Sequence, residues 1–486
     1  MNRQIRKMGI VLALLFSLLF LQLNNIQVLQ AHKLANAPAN PRVASRLYDQ
    51  PRGDVSTADG VVIARSVPTH DIYHFLRQYP NGPLYADITG YFSLIYGTWG
   101  VESSYDSYLT SHIQPVRNLS DVITAGSGPD DITLTIDSVL QGEARSALGG
   151  ETGAVVALDP RTGAILAMYA NPTYDPNALA SHNREAVMSA WKSNIANPSN
   201  PMLDRAYRRS YAPGSTFKII DSSAVYDHDP SLATKSYPYL TALTLPDTNK
   251  KLSNYAGELC GGTLPTLLAV SCDSGFGQIG LDLGASNLVT EAESFGFNKV
   301  PPLDLPGAAA STIPAASAFA RNLPGLAYSA IGQEDVQATC LGMALATAGI
   351  ADHGVIMAPH VMSQIRNPQG RLVKSYAPHP WLTATSAATA SAVTALMVGV
   401  VQHGTASNVA IPGIQVAAKT GTAQTSTSSG SNNWLEAFAP ASNPSLVVVV
   451  VVPAQTGLPL DTTGSEIAGP IVASMFRAAI QEGRVK

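Results

Sequence analysis

The chain opens on a basic stretch, Met1-Asn2-Arg3-Gln4-Ile5-Arg6-Lys7, followed over residues 8–23 by apolar positions interrupted only by Ser17 and Gln22. As a helix this run covers about 24 Å, slightly less than a bilayer core of about 30 Å unless residues 24–30 prolong it. The pattern predicts a transmembrane anchor over residues 8–30. Its basic flank, residues 1–7, stays cytoplasmic as a short tail, and everything after residue 31 faces outward. Ala35-Asn36-Ala37 has the small residues of a cleavage site, but it lies well past the apolar run and precedes Pro38, which favours an uncleaved anchor.

Beyond the Pro- and Asn-containing linker at 37–41 the patterns shorten. Residues 61–64 read as a short strand in a Tyr- and Gly-rich segment without a catalytic grouping, and the turn residues Ser127-Gly128-Pro129-Asp130-Asp131 mark a boundary. Residues 132–137 alternate like a strand leading into a helix. Residues 154–158 and 164–169 predict a hairpin around Asp159-Pro160-Arg161-Thr162-Gly163. The apolar run at 446–452, closed by Pro453, predicts a strand buried on both faces, with 434–438 and 415–418 as its neighbours. Residues 467–480 have the spacing of a terminal helix packed on that sheet. The expected fold class is α+β: an antiparallel sheet flanked by helices over 131–486, a smaller mixed pedestal domain over 31–130, and the N-terminal membrane anchor.

With 486 residues and 45% hydrophobic content the chain can bury two cores. Its charged fraction of 13% and net charge of −4 provide no basic field for nucleic acid. Cys260, Cys272 and Cys340 lack metal-ligand spacing; Cys260 and Cys272 could pair, but buried thiols are the favoured reading. No His-Glu-x-x-His or comparable pair occurs, so neither a metal nor a cofactor is expected.

Candidate chemistry enters at Tyr211-Ala212-Pro213-Gly214-Ser215-Thr216-Phe217-Lys218, where a turn gives way to an apolar helical stretch. Ser215 and Lys218 are i and i+3, which puts the lysine where it can activate the serine hydroxyl, a poor nucleophile without a base. The spacing alone is weak: Ser189-Ala190-Trp191-Lys192 repeats it, and a capping serine beside a surface lysine would look the same. Two later segments separate Ser215 from that decoy, namely Ser271-Cys272-Asp273 and, after the strand-like 414–418, Lys419-Thr420-Gly421-Thr422.

These three segments in this order resemble the signature of the penicillin-interacting serine acyltransferases. Gly153 to Met168, Asn171-Pro172-Thr173-Tyr174-Asp175-Pro176-Asn177, Ile331-Gly332-Gln333, Gly404-Thr405-Ala406 and Asn433-Trp434-Leu435-Glu436-Ala437-Phe438-Ala439-Pro440 extend the likeness to class B penicillin-binding proteins. Tyr85-Ala86-Asp87-Ile88-Thr89-Gly90-Tyr91-Phe92-Ser93 is similar to the penicillin-binding protein A group of actinobacteria. The resemblance implies a membrane-anchored D,D-transpeptidase that cross-links peptidoglycan stem peptides and is acylated by β-lactams. Ser215 would be the nucleophile, Lys218 its base and Ser271 the proton relay; Lys419, Thr420 and Thr422 would bind the substrate carboxylate. Backbone N–H groups of Ser215 and Thr422 would form the oxyanion hole, and Gly421 would keep the substrate strand unobstructed. A depressed pKa is expected for Lys218, driven by burial and by Lys419. Nothing resembles a glycosyltransferase, so that activity would come from a separate protein, alongside division or elongation partners in the membrane.

The family's second motif usually ends in asparagine, where this chain has Asp273. An ionised aspartate only accepts hydrogen bonds and would raise the Lys218 pKa. Three arrangements would relieve this: a protonated Asp273, a pair with Lys419, or a carboxylate pointing away. Two other functions stay open: a weakly catalytic penicillin-binding scaffold, and an enzyme that hands the acyl group to water, as a carboxypeptidase, β-lactamase or sensor. The long amino-terminal segment speaks against a simple β-lactamase, and the short cytoplasmic tail against a sensor.

Overall fold

The computed structural model describes residues 2–30, 48–110, 128–425, 430–455, 458–459 and 462–486. A helix over Asn2–Asn24 continues through a wider turn at Asn25–Leu29, and the 26-residue stretch Arg3–Val28 holds an 18-residue window with a mean hydropathy of 2.0. It is long and apolar enough to cross a membrane. Leu12, Leu15, Phe16 and Leu19 stand exposed along it, uncovered by any other described residue. The turn residues after Leu23 supply the length that the apolar run lacked. The linker at 37–41 and the sequence Ala35-Asn36-Ala37 lie outside the described residues.

The central sheet has five antiparallel strands in the spatial order Ala417–Gln424, Ser431–Ala439, Leu446–Val452, Gly153–Leu158, Ile165–Asn171. Its core strand explains why an antiparallel sheet can carry an unbroken apolar run. Val447, Val449 and Val451 pack with Ala154, Val156, Cys340 and Ala344 on one face. Val448, Val450 and Val452 pack with Leu140, Val472 and Phe476 on the other. Helices Ser138–Leu148 and Gly464–Gln481 cover that second face, and Cys340–Ala351 the first, so both faces are dry. The terminal helix starts at Gly464 rather than 467 because Thr463 and Glu466 form a reciprocal capping box.

A second, six-stranded sheet joins the amino-terminal segment to the rest. It contains Leu372–Ser375, Met362–Arg366, Asp131–Leu134, Val55–Ser56, Val62–Pro68 and Phe75–Gln78, with Val55 pairing in parallel with Ile132. The chain segments on either side of residue 130 therefore share backbone hydrogen bonds. Beside this sheet Glu102, fully buried, takes an ion pair from Arg52 at 2.9 Å and another from Arg77. Burial raises the Glu102 carboxyl, but the two guanidinium groups outweigh it and hold its pKa below the usual range.

Candidate active site

Gly214, at φ +56°, turns the chain through a conformation that a side chain would oppose, and its N–H donates to Gly332 O at 2.8 Å. A 3-10 turn, Gly214–Phe217, follows, and the helix Lys218–His228 begins directly after it. Phe217, Ile219 and Ile220 are fully buried, and they drive this helix into the core. Ser215, half-buried at the turn, opens into a cleft of about 430 Å³ lined also by Asn254, Ser271, Asp273, Thr420 and Thr422. The alternative serine, Ser189, lies exposed on the helix Arg184–Ala196, with Lys192 exposed beside it.

Lys218 is fully buried. Its Nζ donates to Asp273 Oδ1 at 2.7 Å, Ser271 O at 2.9 Å and Ser271 Oγ at 3.3 Å. Among the described residues it makes no hydrogen bond to Ser215, although the i, i+3 spacing predicted one. The carboxylate two residues beyond Ser271 captures the ammonium instead. Of the three arrangements open to Asp273 in the sequence, it neither points away nor pairs with Lys419; it pairs with Lys218.

Ser271 sits on the loop between helices Leu264–Ala269 and Asp273–Ser294, in the left-handed region at φ 59°. Cys272 beside it forms a disulfide with Cys260, with Cα atoms 5.8 Å apart. This corrects the expectation of buried thiols: residues 12 apart on the chain, with the helix Leu264–Ala269 between them, are brought together by the strand Cys260–Gly262 packing along the second helix. Cys340 alone is a free buried thiol among the described residues.

Lys419-Thr420-Gly421-Thr422 lies inside the edge strand Ala417–Gln424, not after it as the sequence pattern suggested. Thr420, Thr422 and Gln424 face the cleft, as the twofold alternation of a strand requires. Thr420 Oγ1 lies 2.6 Å from Thr405 Oγ1, and Thr422 Oγ1 accepts from Gly464 N at 3.1 Å. Lys419 is fully buried and its Nζ donates to Ser271 Oγ at 2.8 Å and to Thr420 O at 2.9 Å. Burial drives its pKa well below the usual lysine value, Lys218 pushes the same way, and Asp273 and Glu436 oppose. Burial thus drives toward neutrality a lysine that the sequence reading had assigned to binding the substrate carboxylate.

Gly421 has a different reason from the expected one. A Cβ there would lie 2.7 Å from Pro213 O and 2.9 Å from Thr216 Cγ2, so the missing side chain lets the strand approach the turn that carries Ser215. Glu436, opposite Lys419 in the sheet register, went unassigned in the sequence. It is fully buried and accepts from Thr347 Oγ1 at 2.9 Å, and burial raises its carboxyl pKa well above the ordinary range. Its one signal was a charge inside an otherwise uncharged buried strand.

The nucleophile turn, the Ser271 loop and the Lys419 strand thus converge on one cleft, with Ser271 Oγ shared by two lysines. The family description "Penicillin binding protein transpeptidase domain" matches residues 153–477, and "Penicillin binding protein A dimerisation domain" matches residues 52–130. The chain belongs to the penicillin-binding protein transpeptidase family. It is 36% identical over 99% of its length to the whole of a Mycolicibacterium smegmatis protein named peptidoglycan D,D-transpeptidase PbpA. The Mycobacterium tuberculosis PbpA is 35% identical over 99% of each chain. Among solved structures, the ceftriaxone acyl-enzyme of penicillin-binding protein A from M. tuberculosis superposes with a TM-score of 0.82 at 34% identity, covering 90% of this chain and 100% of that one. As in the expected fold class, this transpeptidase is an antiparallel sheet flanked by helices.

Proposed function

We propose that the chain is a membrane-anchored serine D,D-transpeptidase that cross-links peptidoglycan stem peptides and is acylated by β-lactams. The observation that carries this is Ser271 Oγ, held within 3.3 Å of Lys218 Nζ and 2.8 Å of Lys419 Nζ on the wall of the cleft into which Ser215 opens. Ser215 attacks the carbonyl of the penultimate D-alanine, the terminal D-alanine leaves, and the amine of a neighbouring stem resolves the acyl-enzyme. Lys218 is the base for Ser215, which requires it to leave Asp273 when substrate arrives. Ser271 passes the proton on, with the Lys419 amine as its partner. Thr420, Thr422 and Lys419 receive the substrate carboxylate along the edge strand. Backbone N–H groups of Ser215 and Thr422 hold the oxyanion, a contribution of about 3 to 4 kcal/mol per donor in comparable enzymes.

The Lys218–Asp273 ion pair gives a second reading its one support: a penicillin-binding scaffold of the wall machinery whose resting base is occupied. The domain assignment we propose is a cytoplasmic tail at 1–7, a single span at 8–30, a pedestal at 31–130 and the transpeptidase domain at 131–486, outside the membrane. Polymerised glycan would come from a separate glycosyltransferase, with division or elongation proteins of the same membrane as partners.

One experiment tests chemistry and placement together. Intact cells producing the chain are treated with a membrane-impermeant fluorescent penicillin and the labelled peptide is mapped. Label on Ser215, lost in Ser215→Ala and kept in Ser189→Ala, is the expected result. Label on Ser189, or labelling only after lysis, contradicts the assignment or the topology respectively.

A further inference from the structure

Asp273 is the first residue of the helix Asp273–Ser294, and its position depends on how that helix begins. The N-cap residue is Cys272, whose backbone is extended as a cap requires. Its side chain caps nothing, because the sulfur is bonded to Cys260. The first-turn N–H groups of a helix have no partner within it. Here Ser274 N donates at 2.7 Å to Asn254 Oδ1, a residue from another segment. The same amide uses both its donors as well: Nδ2 reaches Leu240 O at 2.7 Å and Glu258 O at 2.9 Å. Asn254 is 5% exposed, so each of these bonds is shielded from water.

We propose that Asn254 is a positioning residue for acylation: it supplies from a neighbouring hairpin the N-cap that Cys272 cannot. Together with the Cys260–Cys272 bridge it fixes the turn Ser271-Cys272-Asp273 at two points. Ser271 needs such fixing, since a serine at φ 59° reverts to an ordinary conformation unless its surroundings hold it. Both lysines depend on that turn, because Lys218 binds Ser271 and Asp273 while Lys419 binds Ser271 Oγ. Asn254 touches none of these lysines; it acts through the start of the helix.

The inference rests on Ser215 acylation for its kinetic readout, and a second measurement stands apart from that reading. In the purified chain, hydrogen exchange of peptides covering residues 271–276 should show a protected Ser274 amide that loses protection in Asn254→Ala. Stopped-flow acylation by a fluorescent penicillin should then slow about tenfold at saturating drug in Asn254→Ala, with half-saturation changed less than about twofold. The hydroxyl introduced by Cys272→Ser can cap the helix by itself. Within a Cys260→Ser/Cys272→Ser background, adding Asn254→Ala should therefore slow acylation less than about threefold. Unprotected Ser274 in the parent, an unchanged rate, a loss confined to half-saturation, or an equal loss in the serine background would each overturn the proposal. A parent that is not labelled at Ser215 would instead count against the transpeptidase reading, and the exchange result would still decide the cap.

Discussion

Asp273 sits between two effects on the lysines of the cleft. It holds Lys218 at 2.7 Å, and its charge also opposes the burial and Lys218 repulsion that drive Lys419 toward neutrality. In Asp273→Asn the acceptor oxygen remains but the charge is gone, so the Lys419 pKa should fall further. The neutral Lys419 amine is the partner of Ser271 in the proton relay, so a lower Lys419 pKa keeps the relay open at lower pH and moves the ascending limb of the acylation rate the same way. At neutral pH acylation should rise by about tenfold, equivalent to ~1.4 kcal/mol in the barrier. Rates of penicillin acylation measured from about pH 5 to 9 check this, and slower acylation would assign Asp273 a productive role. At this scale the identities of Ser215, Lys218, Ser271 and Lys419 were legible because their motifs are local in sequence. Their hydrogen bonds were not, because Lys218 chooses between an adjacent serine and a carboxylate brought from 55 residues away. Asn254 and Glu436 were invisible for the same reason: each gains its role only by packing against a distant segment.

Elements were read well where a single pattern ran unbroken, and less well where a motif interrupted it. The hairpin at 153–171 and the valine strand followed directly from apolar runs and a turn. The edge strand was cut short at 418 because Lys419, Thr420 and Gly421 carry no apolar pattern, yet it continues to Gln424 through its ladder with Ser431–Ala439. The Cys260–Cys272 disulfide was the less favoured of two readings because pairing depends on how the short strand Cys260–Gly262 docks, and sequence spacing does not encode docking. Gly421 gives the element-scale test. Its Cβ would collide with backbone at Pro213 O, which cannot rotate away, so Gly421→Ala must push the edge strand off the Ser215 turn. Overpacking of this kind costs about 1 to 3 kcal/mol, and a lower melting temperature should accompany slower acylation. If Gly421→Ala melts and acylates like the parent, the close approach of strand and turn has no part in positioning the serine.

Across the whole molecule, the amino-terminal segment is bound into the fold through a shared sheet, and within itself it is held together by Glu102, the common partner of Arg52 and Arg77. Composition announced no such centre, since the three residues are separated along the chain by four strands and a helix. Tyr79 OH adds a hydrogen bond to the same carboxylate at 3.2 Å. In Glu102→Gln the shape survives, but Arg77 loses its ion-pair partner in a dry site and Arg52 keeps only Asp106 at 2.7 Å. Breaking a buried pair in this way typically costs about 3 to 5 kcal/mol, so a clear fall in melting temperature at neutral pH is expected. The pH dependence has a definite sign. Because the folded Glu102 pKa is depressed, its stabilisation is fully present above the unfolded glutamate value of about 4.3 and is lost as pH falls through the folded pKa. The stability gap between parent and Glu102→Gln should therefore be widest near neutrality and close on acidification, as thermal melts at a series of pH values will read. A gap that stays constant down to low pH would mean that the variant suffers from altered packing alone, and that the charge of Glu102 does not hold the amino-terminal segment together.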